Sequence, residues 1–313
     1  MSQIVTVLGA SGNIGKLLVP YLSQKGYKVK AVGRQLPRYT DPNIENIGVD
    51  YRDAKALRKV FENSSAVYCL VGLEYKTKVW QKEWPALAHT LVEALSETKA
   101  KLVFFDNVYT YGLVEGKMTE DKPLNPQTKK GKVRKEVVEI LEKAQKEDKI
   151  KLVLAKSADF YGPGITTSVL GDRFLDLMLN KDTLEFFGNP AKIHNYTYIG
   201  DIPAALEVLG RSDFQGNIHL PTAKALLGVE FKKILDKLTG KDLKIKPMRQ
   251  STALILSIFI PILRELYEMM YQSENDYDFD STKIHQLFPE LKTTSYEEGF
   301  KETIDWYKSQ KAK

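Results

Sequence analysis

The sequence holds a single cysteine, Cys69, in 313 residues. No disulfide can form within the chain, which fits a reducing cytoplasm. Set in "AVYCLVG", Cys69 reads as a small buried hydrophobe. Histidine is also scarce: His89, His194, His219 and His285 are dispersed, with no cysteine pair beside them, so no metal site is expected. Long hydrophobic runs are missing. The longest, "ALILSIFIPIL" from Ala253 to Leu263, contains a proline and falls far short of the roughly 20 apolar residues of a membrane-spanning helix. The amino terminus, "MSQIVTVLGASG", enters a strand pattern at once, with no charged and apolar leader, so no signal peptide is read. Nor is charge of one sign concentrated. The 46 Lys and Arg stand against 40 Asp and Glu, a net +6, mixed along the chain. A nucleic-acid binder usually shows one basic stripe with interleaved aromatics, so nucleic acid is not an expected partner. One stretch departs from the mixing: Lys129 to Lys135 holds five cations in seven residues.

Hydrophobic residues at 43% and charged residues at 27% describe an ordinary globular protein. The length suffices for one large domain or two interleaved ones. The first half alternates short apolar runs ("IVTVLG", "KVKAVGR", "NIGVD", "AVYCLVG", "KLVFFD", "KLVLAKS") with amphipathic helical stretches such as "DAKALRKVFENS" and "GKVRKEVVEILEKAQKED". Strands alternating with helices predict right-handed crossovers and an α/β, doubly wound parallel sheet of the Rossmann type. The second half is less regular, with strand candidates "LEFFGN", "HNYTYI" and "GNIHLP" and helices near 227–239, 251–271 and 295–309. The expected division is a dinucleotide-binding domain over 1–160, to which 192–222 returns, and a smaller, interleaved substrate or lid region over 161–313. "STALILSIFIPILRELYEMMYQ" reads as a broken amphipathic helix that packs in a core or lid, or serves a subunit interface or a membrane-surface contact. A homo-oligomer is therefore left open.

"VTVLGASGNIGKLL" places Gly9, Gly12 and Gly15 directly after a strand and at the opening of a helix. A dinucleotide site needs glycine there because the turn is tight, the backbone must approach a pyrophosphate, and helix and strand pack closely. Ser11, Asn13 and Ile14 complete the loop and helix opening whose N–H groups would meet the phosphates. Discrimination between dinucleotides comes from the end of the second strand, about 20 residues on, where an NAD site usually carries an acid. Here "KAVGRQ" supplies Gly33 and Arg34. A guanidinium suits a 2′-phosphate and stacks on adenine, so NADP is expected over NAD.

These features, with several others, resemble an extended or atypical short-chain dehydrogenase/reductase of the NAD-dependent epimerase/dehydratase type. Gly9-x-x-Gly12-x-x-Gly15 matches that family's phosphate loop. "GVDYRD" is similar to its "GDxxD", which carries the adenine-contacting acid over to Asp50. "VFFDNVYTYG" resembles its "SSxxVYG" strand, and "ADFYGPG" its "NVYGPG". "NYTYIGDIPAAL" and "FDSTKIHQLFPELKTTSYEEGFKETIDWY" resemble its later segments. The matches run from residue 4 to about 307 in the expected order.

The departures concern catalysis. The family serine that meets the reacting oxygen falls at Asn107. In "NPQTKKGKVRKEVVEIL" its catalytic tyrosine falls at Lys130 and its lysine at Arg134, and no tyrosine occurs between Tyr111 and Tyr161. Positions 130 and 134 continue into Val137, Val138 and Leu141, one helical stripe, so both cations are predicted to point inward. Buried cations call for an anionic partner, and a helix's first turn disfavours them. The resemblance gives Arg134 the nicotinamide ribose and lets Lys130 face the substrate, where desolvation and Arg134 would make its ammonium a readier proton donor. Asn107 would orient a substrate oxygen. A tyrosine from another segment is the other proton source: Tyr161 foremost, with Tyr109, Tyr196 and Tyr198. His194 lies near the same expected cleft. The expected function is an NADP-dependent oxidoreductase of a small carbonyl or hydroxyl substrate. The alternatives are a catalytically inactive NADP-binding sensor and a nucleotide-sugar epimerase or dehydratase.

Overall fold

The computed structural model describes residues 2–311 other than Leu36, Thr166 and Thr167. Each apolar run of the first half becomes a strand: β1 (Ile4–Leu8), β2 (Lys28–Gly33), β3 (Ile44–Gly48), β4 (Ser64–Cys69), β5 (Lys101–Asp106) and β6 (Lys151–Lys156). A late strand, β7 (Gly216–His219), joins them, and the sheet order is β7-β6-β5-β4-β1-β2-β3. All six pairings are parallel. Every strand of the sheet therefore ends on one edge, and β1 is the point from which the order runs in both directions. In doubly wound sheets ligands bind at that switch point, off the carboxyl ends.

The helices between these strands form because their apolar residues recur at helical spacing. In α1 (Asn13–Gln24), Ile14, Leu18, Val19 and Leu22 are buried, each contributing about 1.5–3 kcal/mol relative to exposure. The helix runs through Pro20, which removes one backbone donor. In α2 (Ala54–Phe61) the Asp53 carboxylate caps the start by accepting the Ala56 N–H at 3.0 Å. Then come α3 (Thr77–Leu95), α4 (Lys129–Lys146) and α5 (Ile202–Arg211).

The chain groups into two units. The first is Met1–Thr110, Lys129–Lys156 and Ile202–Leu220, which is the sheet with these five helices. The segment that returns to it is Ile202–Leu220, contributing α5 and the edge strand β7. Tyr111–Thr128, which the sequence reading places in the first domain, packs with Ser157–Asp201 and Pro221–Lys313 in the second unit.

The second unit is held by three short parallel ladders: Phe160–Tyr161 with Thr197–Tyr198, Thr183–Phe187 with Lys244–Met248, and Lys117–Met118 with Asp278–Phe279. Its core gathers Tyr161, Phe174, Phe231, Tyr296 and Phe300 with aliphatic neighbours. Helices cover Gly228–Thr239 and Tyr296–Lys311. The apolar stretch around 251–271 divides into short helices, Gln250–Leu256 and Pro261–Tyr267. It buries Ala253, Leu263, Met269 and Met270 but leaves Leu254, Ile255, Ile258, Phe259 and Ile262 exposed. Among the described residues, no helix is long and apolar enough to cross a membrane.

Candidate functional site

The loop after β1 is built so tightly that two of its glycines have no substitutes. Gly9 has φ +90°, and a Cβ there would lie 2.6 Å from the Leu70 carbonyl. A Cβ on Gly15 would stand 2.5 Å from the Gly9 carbonyl oxygen. The loop is pinned by Gly9 and Ala10 N–H groups donating to the Val32 carbonyl at 3.0 and 3.2 Å, and by Gly12 N–H donating to Gly9 O at 3.0 Å. The Tyr39 hydroxyl also donates to Ala10 O at 2.9 Å. Gly12 is the N-cap of α1 and supplies no side chain to cap it, and the first turn has no acid. Ser11 and Gly12 are exposed, Asn13 is half-buried and Ile14 turns into the core. First-turn N–H groups without a capping side chain, beside a groove that a Cβ would fill, are what a pyrophosphate needs.

At the ends of β2 and β3 the charges form a second group. Tyr51 is buried, with the Arg34 guanidinium 5.7 Å and the Arg52 guanidinium 4.9 Å from its ring centroid. Arg52 donates to Glu83 at 2.9 Å and to Asp50 at 3.3 Å, and its backbone N–H donates to Asp50 Oδ1 at 3.0 Å. Glu83 also accepts from the Tyr51 hydroxyl at 3.1 Å. The hydrogen bond from Arg52 holds the Glu83 carboxyl below its ordinary range, against a smaller opposing effect of burial. Arg34 is exposed and has no ion pair among the described residues, so it is the guanidinium of this group left for a ligand.

Further along the same edge, β5 ends on an acid and β6 on a base. Asp106 and Lys156 are register partners, and Lys156 Nζ donates to Asp106 Oδ2 at 2.6 Å. Arg134 on α4 completes a triad, with Nε and one terminal nitrogen donating to Asp106 Oδ1 at 2.8 and 2.5 Å. All three side chains are at most 1% exposed. Burial pushes the Asp106 carboxyl up, but Arg134 and then Lys156 override it, and the group lies below the ordinary carboxylate range. The Arg134 guanidinium lies 4.0 Å from the Trp84 ring centroid. The remaining guanidinium nitrogen, Nη1, is buried without a hydrogen-bond partner. The position to which the resemblance gives a ribose contact thus has two of its three nitrogens committed to a carboxylate. The acid-base pair was legible in principle, because "KLVFFD" and "KLVLAK" end on opposite charges in neighbouring strands.

One turn earlier on α4, Lys130 also points inward and is fully buried, as the helical stripe predicts. Lys129 and Lys132 face solvent, and Lys135 is half-buried. Lys130 Nζ donates to Thr77 Oγ1 at 2.9 Å and lies 4.7 Å from the Tyr75 ring centroid. The hydroxyls of Tyr75 and Tyr109 are 3.3 Å apart, and Trp80 contacts both rings, edge-on to Tyr75 at 5.3 Å and stacked with Tyr109 at 6.1 Å. Asn107 closes the turn between them by accepting the Tyr109 N–H on Oδ1 at 3.0 Å. Lys130, Asn107 and Tyr109 therefore belong to one unit with the glycine loop.

Tyr161, Tyr196, Tyr198 and His194 belong to the other unit. Tyr161 is 0% exposed, stacked on Phe300 at 4.4 Å, and its hydroxyl has no hydrogen-bond partner. Burial drives its phenol far up, and neighbouring Tyr296 adds to this. The Tyr198 hydroxyl donates to Glu302. His194 stacks on Tyr277 at 4.3 Å, with Nε2 3.8 Å from Asp159 Oδ2. Among the described residues no group of three or more His, Cys, Asp or Glu is placed to hold a metal ion.

Comparison with known proteins places this geometry. Residues 5–217 match the model of the NAD dependent epimerase/dehydratase family. A dTDP-D-glucose 4,6-dehydratase of Dictyostelium discoideum is 21% identical over an alignment covering 98% of this chain and 82% of that protein. Among solved structures, a dTDP-glucose 4,6-dehydratase from Bacillus anthracis in complex with NAD superposes with a TM-score of 0.80 at 17% identity, covering 99% of this chain and 98% of that one. A UDP-glucuronic acid 4-epimerase from Bacillus cereus in complex with NAD gives 0.78 at 18% identity, covering 98% and 99%. The chain belongs to the NAD dependent epimerase/dehydratase family.

Proposed function

We propose that this protein binds a nicotinamide dinucleotide in its first unit and transfers hydride at a hydroxyl-bearing carbon of a nucleotide-linked sugar. The observation that carries this reading is the glycine loop, closed against Leu70 and opening onto the uncapped start of α1. Gly9, Gly12 and Gly15, with the N–H groups of Ser11, Asn13 and Ile14, would hold the pyrophosphate, and Asp50 would stand beside the adenosine. The substrate class is supported by the relatives, whose names specify dTDP-glucose and UDP-glucuronic acid. It replaces the small carbonyl compound expected from the sequence alone.

A bound nicotinamide supplies or accepts the hydride. The chain's own residues would then manage the oxygen on the reacting carbon. Asn107 Oδ1 is already occupied by a backbone N–H, so its amide nitrogen would be the donor for that oxygen. Lys130 brings a positive charge to the family tyrosine's position, against the Tyr75 phenol, where it would favour negative charge on the groups beside it. Arg134 contributes indirectly, by fixing Asp106 and the turn that carries Asn107. Tyr161 has no part, since its hydroxyl is enclosed by its own unit's aromatic core.

The relatives in the solved structures carry NAD. For this chain we favour the phosphorylated dinucleotide, because β2 ends without an acid and Arg34 stands exposed where a 2′-phosphate would lie. One observation favours a second reading, a dinucleotide-binding regulator without turnover: Arg134 is tied to Asp106 rather than held available for a ribose.

Titration of the protein with NADPH, NADP, NADH and NAD, followed by fluorescence transfer to the nicotinamide, tests the cofactor. Preference for the phosphorylated pair, abolished in Arg34→Asp, is expected. Incubation with dTDP- and UDP-sugars, with products resolved by chromatography, then separates the enzyme from the regulator. Absence of dinucleotide binding would overturn both readings.

A further inference from the structure

We infer that Tyr109, coupled to Tyr75 and polarised by Lys130, supplies the proton-transferring oxygen that α4 lacks. The inference rests on the hydride-transfer reading above and names the acid-base group of that same site.

Five tyrosines bear on the question, and exposure sorts them. Tyr161, Tyr196 and Tyr198 are 0%, 7% and 7% exposed within the second unit. Tyr75 and Tyr109 are half-buried in the first unit, on the loops that follow β4 and β5. They lie on the edge where a ligand of a doubly wound sheet binds. Their hydroxyls are 3.3 Å apart, within hydrogen-bond reach, so a proton can pass between them. The pair is rigidly placed. Tyr109 is held by the Asn107 turn and stacked with Trp80, and Tyr75 packs edge-on to the same Trp80.

Lys130 then has a distinct task. Its ammonium lies 4.7 Å from the Tyr75 ring centroid and is fixed by Thr77. A fixed cation close to a phenol favours the deprotonated oxygen. The other cation on this loop, Lys76, is paired with Glu74 at 2.6 Å. A lysine on α4 and a phenol on another loop thus reproduce the two chemical parts of a tyrosine–lysine pair, a phenol that gives up its proton and a cation that helps it do so. Lys130 is a positioning residue in this scheme, and Tyr109 is the group that meets the substrate oxygen.

In the direction of carbonyl reduction, the carbonyl carbon takes a hydride, with its two electrons, from a reduced nicotinamide. The Tyr109 O–H bond breaks and the alcohol O–H bond forms. The Tyr109 oxygen regains a proton from the Tyr75 hydroxyl, which is restored from water. Alcohol oxidation runs the same transfers backwards.

The test uses Tyr109→Phe, Tyr75→Phe and Lys130→Met, each read in two ways besides turnover. Dinucleotide binding, by fluorescence transfer, is expected to be unchanged in all three. Phenol ionisation is followed by ultraviolet difference absorbance, and the step that disappears in Tyr75→Phe is expected to move to higher pH in Lys130→Met. With a nucleotide-sugar substrate, Tyr109→Phe is expected to lose about 10²–10⁴-fold in turnover, and Tyr75→Phe less. Superimposable ionisation curves for wild type and Lys130→Met, or full turnover in Tyr109→Phe, would overturn the inference. Failure of the wild type to bind any dinucleotide would instead sink the reading on which it rests.

Discussion

Two cations one turn apart on α4 live in different surroundings. Arg134 is sealed: a carboxylate takes two of its nitrogens, a tryptophan covers its face, and Lys156 shares the acid. Lys130 is just as buried; its ammonium donates to the Thr77 hydroxyl and lies against the Tyr75 ring, beside two half-buried phenols. Full burial therefore does not separate structure from chemistry here. What separates them is what each is seen to face: Arg134 is closed over a carboxylate, whereas Lys130 lies against a phenol ring on which its charge can act.

The strongest way to break this comparison is to remove the acid. Asp106→Ala leaves Arg134 and Lys156 buried without their carboxylate, and stripping one partner from such a group costs about 3–5 kcal/mol. Urea unfolding should show a loss of that size. A loss below about 1 kcal/mol, the scale of an exposed pair, would mean that the triad is not a structural lock. Acid should act in the same direction. The Asp106 carboxyl is depressed in the fold, so its charge stabilises at neutral pH, and that contribution disappears as pH falls below the ordinary carboxylate range and through the folded value. The wild type's stability should fall across that window, while Asp106→Ala should show a flatter profile.

Lys130→Met sharpens the other side. Methionine keeps most of the buried stem, and the bond to Thr77 is one hydrogen bond to a neutral group, worth about 1 kcal/mol. The expected loss of stability is smaller than for Asp106→Ala, which strips the carboxylate from two buried cations at once, measured by the same unfolding curves. An equal loss would place Lys130 in the structural class with Arg134.

The sequence made most of this visible, for reasons that differ by element. The sheet was readable because each strand is a short apolar run after a helix of regular period, and the glycine loop because its φ and close approaches leave no alternative residue. The inward aim of Lys130 and Arg134 followed from Val137, Val138 and Leu141 on the same stripe. Their partners were not readable. Thr77 and Tyr75 reach Lys130 from a loop and helix more than fifty residues away, and Lys156 reaches Asp106 through strand register. The division of the chain was also hidden at Tyr111–Thr128. There a two-residue strand, Lys117–Met118, pairs with Asp278–Phe279 through a contact that local patterning does not carry.

The smallest effect concerns the phenol that sequence reasoning ranked first. Tyr161 enters as a candidate proton source from another segment, in "ADFYGPG". In the fold its ring is part of the second unit's core, and Gly299 leaves the room its hydroxyl occupies, since a Cβ there would collide with that oxygen. A buried hydroxyl without a partner is a liability of about 1–3 kcal/mol, whereas the ring supplies the packing. Tyr161→Phe should therefore leave stability unchanged or raise it by about 1 kcal/mol, and leave turnover at the wild-type level. Tyr109→Phe should do the reverse, with little change in unfolding and a large loss of rate. If both variants lost activity while keeping their fold, burial would not be the criterion that divides these tyrosines, and the acid-base group would have to be sought among sealed side chains as well.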